Sequence, residues 1–178
     1  MGILVEPYDE SWPDRFNVLK RNYEEALVGN PILSIEHVGS TSVPGLWAKP
    51  TIDIDIVVKA EHLQGAISAL EKYGYKSRGE LGIKGRWAFE ATNVPYKTNT
   101  YVVEADSLAL KNHLAAREVL RENSELRDEY SAIKQELAIK TADINIYVEG
   151  KIEVLQRILK LGGLSDEELD EIADANRN

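Results

Sequence analysis

The segment from Thr51 to Val58 constrains the fold of this chain more than any other. It alternates apolar and polar residues, Thr-Ile-Asp-Ile-Asp-Ile, and ends in a β-branched pair. This period of two predicts a strand with one buried face. Because side chains two apart on a strand point to the same face, Asp53 and Asp55 lie together. The sequence therefore predicts a sheet that carries two carboxylates side by side.

The hydrophobic period changes near residue 107. Before it, short strand patterns are separated by turns, and after it the period stays at 3.6. We predict strands at 32–38, 51–58, 75–78, 86–91 and 98–104, and helices at about 16–27, 61–73, 107–123, 124–139, 144–161 and 166–175. The pattern predicts an α+β fold in a single domain, 1–178, with an α/β core at 1–106 and a helical region at 107–178 packed on it.

Composition excludes several classes of function. The chain carries 21 Lys plus Arg against 30 Asp plus Glu, a formal charge of −9, which disfavours nucleic acid as a partner. It has no cysteine, so a metal ion would need oxygen or imidazole ligands. No apolar run reaches the length of a membrane-spanning helix, and the start of the chain lacks a signal-peptide pattern. We expect a cytoplasmic protein without a membrane partner, and no motif predicts its oligomeric state.

A phosphate-binding pattern precedes the Asp-x-Asp strand. Gly39 and Ser40 end a predicted strand just before a short helical segment, where free N–H groups and a hydroxyl suit phosphate oxygens. Two carboxylates on a rigid strand suit Mg²⁺, which completes its shell with water and substrate phosphates. Together these features predict a site for a metal-bound triphosphate. The alternative is that Asp53 and Asp55 form only the solvated face of a half-exposed strand.

This order of motifs resembles a known superfamily. Glycine-serine, followed about a dozen residues later by Asp-x-Asp on the next strand, is similar to the signature of the nucleotidyltransferases, which include β-type DNA polymerases and antibiotic adenylyltransferases. The longer string from His37 to Pro50, with Pro7-Tyr8-x-x-x-Trp12-Pro13, resembles the GrpB family within that superfamily. The resemblance continues through 113–121, 130–138 and 147–151, and so covers nearly the whole chain.

The resemblance implies a nucleotidyltransferase-like mixed or antiparallel sheet flanked by helices, in a family whose substrates are not established. It implies one or two Mg²⁺ or Mn²⁺ ions at Asp53 and Asp55, with a third catalytic acid on a later strand. Glu104 is our choice for that acid, and Glu90 is the other candidate. The remaining predicted site residues are, for the nucleotide, Gly39, Ser40, Thr41 and Lys49, and for the substrate, Asn99, Tyr101, His113 and Arg117.

Two of these assignments have a structural alternative. Lys49 either contacts the triphosphate or is a solvated turn lysine, and Arg117 either binds substrate or pairs with a nearby acid such as Glu118. The leading functional hypothesis is a protein that binds a magnesium nucleoside triphosphate and transfers a nucleotidyl group to an unknown small acceptor. A catalytically silent binding or regulatory module is the alternative, favoured by the uncertain third acid. A metal-dependent phosphohydrolase is a weaker third hypothesis.

Overall fold

The structure is a computed structural model, which describes residues 2–175. The predicted limits of the domain, residues 1 and 178, lie outside the described range. In chain order the elements are α1 (Trp12–Ala26), β1 (Ser34–Val38), a 3-10 turn (Ser40–Ser42), β2 (Ile52–Val58), a 3-10 turn (Ala60–His62), α2 (Leu63–Tyr73), β3 (Lys76–Gly79), β4 (Arg86–Glu90), β5 (Thr98–Glu104), α3 (Leu108–Glu122), α4 (Ser124–Lys140), α5 (Ile144–Glu149), α6 (Ile152–Leu161) and α7 (Asp166–Ala175).

The five strands form one mixed sheet in the order β1-β2-β5-β4-β3. Strand β2 pairs antiparallel with β1 and parallel with β5, and the pairs β5-β4 and β4-β3 are antiparallel. The predicted α+β class is therefore confirmed. The alternating segment forms the strand between β1 and β5, which places both aspartates on an interior strand of the sheet.

One face of the sheet packs on α1 and α2. Ile52, Ile54 and Ile56 point to this face and are almost completely buried, together with Trp12 and Leu19 of α1. The period-two pattern of β2 therefore meets the helical stripe of α1 in the main core. Burial of these residues on one side leaves the other face of β2 to carry the carboxylates.

The helical region covers the opposite face. Leu110 of α3 packs on Val57 and Val103 of the sheet. A second cluster joins Val43 and Leu46, in the segment after β1, to apolar residues of α3, α4 and α6. The helices are therefore attached both to the sheet and to the segment that follows the Gly39-Ser40 turn.

The predicted helix at 144–161 is wrong in one respect, because it is two helices, α5 and α6, separated at Gly150 and Lys151. A Cβ atom at Gly150 would lie 2.5 Å from Cδ2 of Leu137 on α4. The side chain of Leu137 therefore packs closely on Gly150, where α5 ends. Within residues 2–175, no helix combines the length and the apolar character needed to cross a membrane.

Candidate functional site

The carboxylates of β2 lie in a polar row across the sheet. Asp55 is paired in register with Glu36 of β1 and Tyr101 of β5, and Asp53 is paired with Asn99 of β5. Residues directly opposite each other on neighbouring strands share a face. The register therefore places all five side chains on the face that the helical region covers.

Asp53 is held between a neighbouring strand and the glycine turn. Its Oδ1 atom accepts a hydrogen bond from Nδ2 of Asn99 at 2.7 Å. A Cβ atom at Gly39 would lie 2.0 Å from Oδ2 of Asp53, and Gly39 has a φ of 70°. Glycine is therefore required there both by the backbone conformation and by the carboxylate. Burial raises the pKa of Asp53, against the hydrogen bond from Asn99.

Asp55 is the more buried of the two acids. Its side chain is 0% exposed, and Oδ2 accepts a hydrogen bond from Nδ1 of His113, on α3, at 2.6 Å. The other oxygen, Oδ1, is buried and has no partner among the described residues. A buried carboxylate oxygen without a partner is energetically costly, so this atom is open to a ligand.

A buried lysine contacts the Gly39-Ser40 turn from the helical region. Nζ of Lys134, on α4, donates to Oγ of Ser40 at 3.1 Å and lies 4.4 Å from the centroid of the Tyr130 ring. Lys134 is only 2% exposed. Burial, and then the positive charge of Lys151, lower the pKa of Lys134 to about 6.

Two further lysines approach the same place around Tyr147 of α5. Nζ of Lys151 lies 4.5 Å from the ring centroid of Tyr147, and Nζ of Lys49 lies 5.6 Å from it. Burial, and then the charge of Lys49, lower the pKa of Lys151 to about 8. Among residues 2–175 none of the lysines at positions 49, 134 and 151 has an ion pair within 4.0 Å. Three lysine side chains therefore converge beside Ser40 and Asp53.

The residues present fit a hard divalent cation with few protein ligands. Asp53 and Asp55 supply carboxylate oxygens, one of them a buried atom without a partner. Mg²⁺ commonly takes one or two carboxylates and completes its shell with water and substrate phosphates. The described residues contain no group of three or more His, Cys, Asp or Glu side chains suited to hold a metal ion. The fit is therefore to a metal that arrives with a phosphate ligand.

Comparison with models of protein families shows to which family the chain belongs. The family model described as GrpB protein matches residues 2–161. The chain belongs to the GrpB family. The match includes the Gly39-Ser40 turn, both aspartates and all three lysines, and it ends before α7.

In two curated relatives, about a third of the aligned residues are identical to those of this chain. UPF0157 protein YqkA of Bacillus subtilis is 34% identical over 148 residues, which are 82% of this chain and 43% of YqkA. UPF0157 protein BH1888 of Halalkalibacterium halodurans is 35% identical over 162 residues, which are 89% of this chain and 82% of that protein. The chain therefore spans less than half of YqkA but most of BH1888.

A solved structure from the GrpB family has the same fold. The conserved protein GrpB from Enterococcus faecalis superposes with a TM-score of 0.77 at 30% identity, over 95% of this chain and 99% of that one. Cid1, solved in complex with its short product ApU, gives a TM-score of 0.47 at 9% identity, over 72% of this chain and 41% of that chain. A similarity that weak carries no argument about this site.

The structure brings together three of the four predicted nucleotide-binding residues. Gly39, Ser40 and Lys49 lie at the cleft beside Asp53, but Thr41 does not. Oγ1 of Thr41 accepts a hydrogen bond from Nε2 of His37 at 2.9 Å and donates to the carbonyl of Thr51 at 3.3 Å. Thr41 is 1% exposed, so its hydroxyl belongs to the core beneath the turn.

The structure does not bring the predicted third acid, Glu104, to the aspartates. Glu104 is paired in register with Val58, at the far end of β2, and is five residues from Asn99. An odd spacing on a strand places the two side chains on opposite faces, and five residues span about 16 Å. Glu90, the other candidate, forms an ion pair with Arg78 at 3.0 Å. The position beside Asp53 is held by Asn99 instead.

The four predicted substrate residues have different environments. Asn99 and His113 contact the aspartates directly, and Tyr101 lies beside Asp55 in register. Arg117 donates instead to Oε2 of Glu36 at 2.8 Å and pairs with Glu118 at 2.7 Å. Both of these acids occupy its guanidinium, so Arg117 ties α3 to β1 and is not free for substrate.

Sequence reasoning gave no role to Lys134 and Lys151. Each lies four residues after a tyrosine that its ammonium group contacts, Tyr130 in α4 and Tyr147 in α5. Leu126 and Tyr130, four residues apart on α4, are buried, and Lys134 is next in that stripe. A lysine in a buried stripe was the available signal, since lysine is almost never fully buried without a partner.

Proposed function

We propose that the protein binds a magnesium nucleoside triphosphate between the Gly39-Ser40 turn and the Asp53-Asp55 pair, and transfers a nucleotidyl group to a small acceptor. The observation that carries this proposal is the convergence of Lys49, Lys134 and Lys151 beside Ser40, with no carboxylate of residues 2–175 in ion-pair distance of any of them. Lys134 is buried, Lys151 is half-buried and Lys49 is exposed. A buried lysine is normally paired, and a polyanion is a ligand that can pair with all three lysines at once.

The electrostatics favour a polyphosphate over a single carboxylate. The chain has a formal charge of −9, yet this cleft brings three lysines together. Besides burial, the charge of Lys151 lowers the pKa of Lys134, and the charge of Lys49 lowers the pKa of Lys151. A triphosphate supplies several anionic oxygens, which favour the protonated form of each lysine and offset this mutual repulsion.

The metal would be held by Asp53 and Asp55. When bound, it supplies Lewis-acid polarisation of the phosphate. Asn99 fixes the orientation of Asp53, and His113 fixes that of Asp55. The hydroxyl of Ser40 and the three lysines bind the phosphate chain and orient it.

Transfer requires one bond to form and one to break. The hydroxyl oxygen of the acceptor forms a bond to the α-phosphorus and gives its proton to water, while the bond from that phosphorus to the pyrophosphate oxygen breaks. Pyrophosphate leaves with the negative charge that this cleavage generates. Lys134 and Lys151 lie where they would stabilise that charge.

A binding module without transfer is the second candidate. The third carboxylate of the polar row, Glu36, is paired with Arg117 at 2.8 Å. The described residues contain no group of three or more His, Cys, Asp or Glu side chains suited to hold a metal ion, and Asn99 occupies the position beside Asp53 on β5. The neutral amide of Asn99 donates a hydrogen bond to the Asp53 carboxylate, but it is not a base that takes the proton from the hydroxyl of the second substrate. This observation favours a protein that binds the nucleotide and regulates a partner.

Thermal unfolding in the presence of each ribonucleoside triphosphate, with and without Mg²⁺ or Mn²⁺, tests the proposed function. We expect a metal-dependent rise of the midpoint, roughly 5–10 °C at a hundredfold excess over the dissociation constant. The rise disappears in an Asp53→Asn, Asp55→Asn double variant and persists in an Asp106→Asn control, since Asp106 is exposed. No shift with any nucleotide contradicts the proposal.

A transfer assay then separates the two candidates. Labelled nucleotide is incubated with a metabolite extract and the wild-type chain. A labelled adduct that requires Asp53 and Asp55 supports the transferase. Nucleotide binding without any adduct or released pyrophosphate supports the binding module, and release of pyrophosphate without an adduct supports the phosphohydrolase.

A further inference from the structure

A second cavity lies on the other side of His113. It has a volume of about 290 Å³ and is enclosed by the β3-β4 connection, α3 and α7. Ile83, Leu108 and Ile172 form apolar parts of its wall, and Arg86 and His113 line it as well. His113 therefore borders this cavity and also contacts Asp55.

Arg86 is the unusual member of this wall. Its guanidinium carbon lies 4.3 Å from the centroid of the Tyr101 ring, and its Nε atom is buried without a hydrogen-bond partner among the described residues. Arg78, on the adjacent strand β3, pairs with Glu90 at 3.0 Å. Among residues 2–175 Arg86 has no carboxylate in ion-pair distance, and it lines the cavity.

We propose that this cavity binds the acceptor of the transfer reaction through an anionic group, a carboxylate or a phosphate, which Arg86 holds. The proposal rests on the proposed function and names the chemical class of its second substrate. The guanidinium is a planar set of donors that matches both anions bidentately. Stacking on Tyr101 fixes the plane of the guanidinium before a ligand arrives.

The opposite wall restricts the rest of the acceptor. Glu171 of α7 also lines the cavity. Its carboxylate repels a ligand that is anionic throughout. The acceptor therefore carries its anionic group at one end, and a neutral or cationic part faces α7.

The location fits an acceptor better than a second nucleotide. The cavity is one side chain, His113, away from Asp55, whereas the lysines that suit a triphosphate lie by Ser40. Its volume is at the low end of the range for small-molecule sites, which suits a molecule of metabolite size. Two separate polar regions thus flank the carboxylate pair, one for each substrate.

Nuclear magnetic resonance of the arginine Nε–Hε groups in the full ¹⁵N-labelled chain tests this proposal directly. Sodium acetate, inorganic phosphate and methylammonium chloride are titrated separately at constant ionic strength. We expect the Arg86 signal, assigned by its loss in Arg86→Lys, to shift saturably with acetate or with phosphate and not with methylammonium. The anion that saturates at lower concentration identifies the group, in the millimolar range expected for so small a ligand.

The controls keep this proposal separate from nucleotide binding. The Arg78 signal is the matched control, because that guanidinium is already paired with Glu90. A linear Arg86 response equal to that of Arg78, or no response to either anion, overturns the proposal. Arg86→Met is expected to retain the magnesium-nucleotide shift in thermal unfolding. If wild type shows saturable Arg86 binding but no nucleotide binding, the proposed function fails and the anion site stands.

Discussion

Nζ of Lys134 lies 3.1 Å from Oγ of Ser40, and this contact joins the helical region to the glycine-serine turn of the core. Other contacts join the same regions, since Arg121 donates to the carbonyl of Ser42 at 2.8 Å and Oγ of Ser131 accepts from the N–H of Trp47 at 3.1 Å. The helices therefore hold the turn in place and supply two of the lysines that face it. The proposed nucleotide site belongs to both parts of the chain.

Gly39→Ala tests the contact between the turn and Asp53. The new Cβ atom would lie 2.0 Å from Oδ2 of Asp53 on a backbone with φ of 70°. We expect a loss of about 1–3 kcal/mol in the free energy of unfolding and loss of the nucleotide-induced shift. Thermal unfolding with and without magnesium nucleotide measures both effects.

Gly29→Ala is the matched control for that substitution. Gly29 has a φ of 82°, but a Cβ atom there meets nothing within 4 Å. We expect Gly29→Ala to lower the free energy of unfolding by about 1 kcal/mol, the cost of the backbone conformation alone. Because no clash is created, the nucleotide-induced shift should persist. Equal nucleotide responses in the two variants would show that the space beside Asp53 is irrelevant to binding.

Lys134→Met tests whether the lysine is retained for a ligand and not for stability. Burial lowers the pKa of Lys134 to about 6, so between pH 6 and the unfolded-state pKa of 10.5 the unfolded chain binds a proton that the folded chain does not. Stability therefore rises with pH across this window. At pH 7 we expect the variant to be more stable by about 2 kcal/mol, or roughly 4–8 °C.

The control for this stabilisation is Lys140→Met. Lys140 lies on the same helix but is exposed and pairs with Glu136. Its replacement should leave the unfolding midpoint nearly unchanged. A fall in the unfolding midpoint of Lys134→Met would mean that the buried Lys134 side chain stabilises the fold, contrary to the ligand-binding role proposed for it.

Nucleotide binding should take up protons. Above pH 6 Lys134 is largely neutral in the free protein, and Lys151 titrates near 8. A polyphosphate favours the protonated form of both, so affinity falls as the pH rises from 6 to 9, by up to about tenfold per pH unit for each coupled group. Titration calorimetry in buffers of different ionisation enthalpy counts the protons, and a pH-independent affinity would be evidence against lysine contacts.

Arg117→Met tests a structural role. Arg117 pairs with Glu36 on β1, and the side chains are 15% and 29% exposed. We expect a loss of about 1–3 kcal/mol in the free energy of unfolding and no change in nucleotide affinity. Arg157→Met, which breaks an exposed pair with Glu129, should leave the midpoint almost unchanged. A large loss of nucleotide affinity in Arg117→Met would show that Arg117 contributes to nucleotide binding, contrary to this prediction.

Periodicity predicted most of the fold because the strands and helices here follow their local patterns. The alternation in 51–58 predicted both strand β2 and the shared face of its aspartates. The break at Gly150 was missed because the apolar stripe continues across it. In the structure the side chain of Leu137 packs on Gly150 at this break. That contact depends on how α4 packs, which the local sequence does not contain.

The site was predicted in part for a similar reason. The glycine-serine turn and the aspartates are close in sequence, so a short sequence motif is enough to predict that they belong to one site. Which residue of β5 lies beside Asp53 depends on the strand register, and a shift of one residue exchanges the two faces. The local sequence does not contain this register. The structure places Asn99 beside Asp53, and Glu104 beside Val58. Lys134 and Lys151 come from distant helices, and only the topology brings them to Ser40.

Binding of magnesium ATP at the lysine cluster can be measured by titration calorimetry on wild type, Lys134→Met and Lys140→Met at pH 7. We expect one site per chain in wild type and in Lys140→Met, and at least tenfold weaker binding in Lys134→Met, equivalent to about 1.4 kcal/mol. Absence of binding in wild type, or equal affinity in all three chains, would show that Lys134 does not bind a nucleotide.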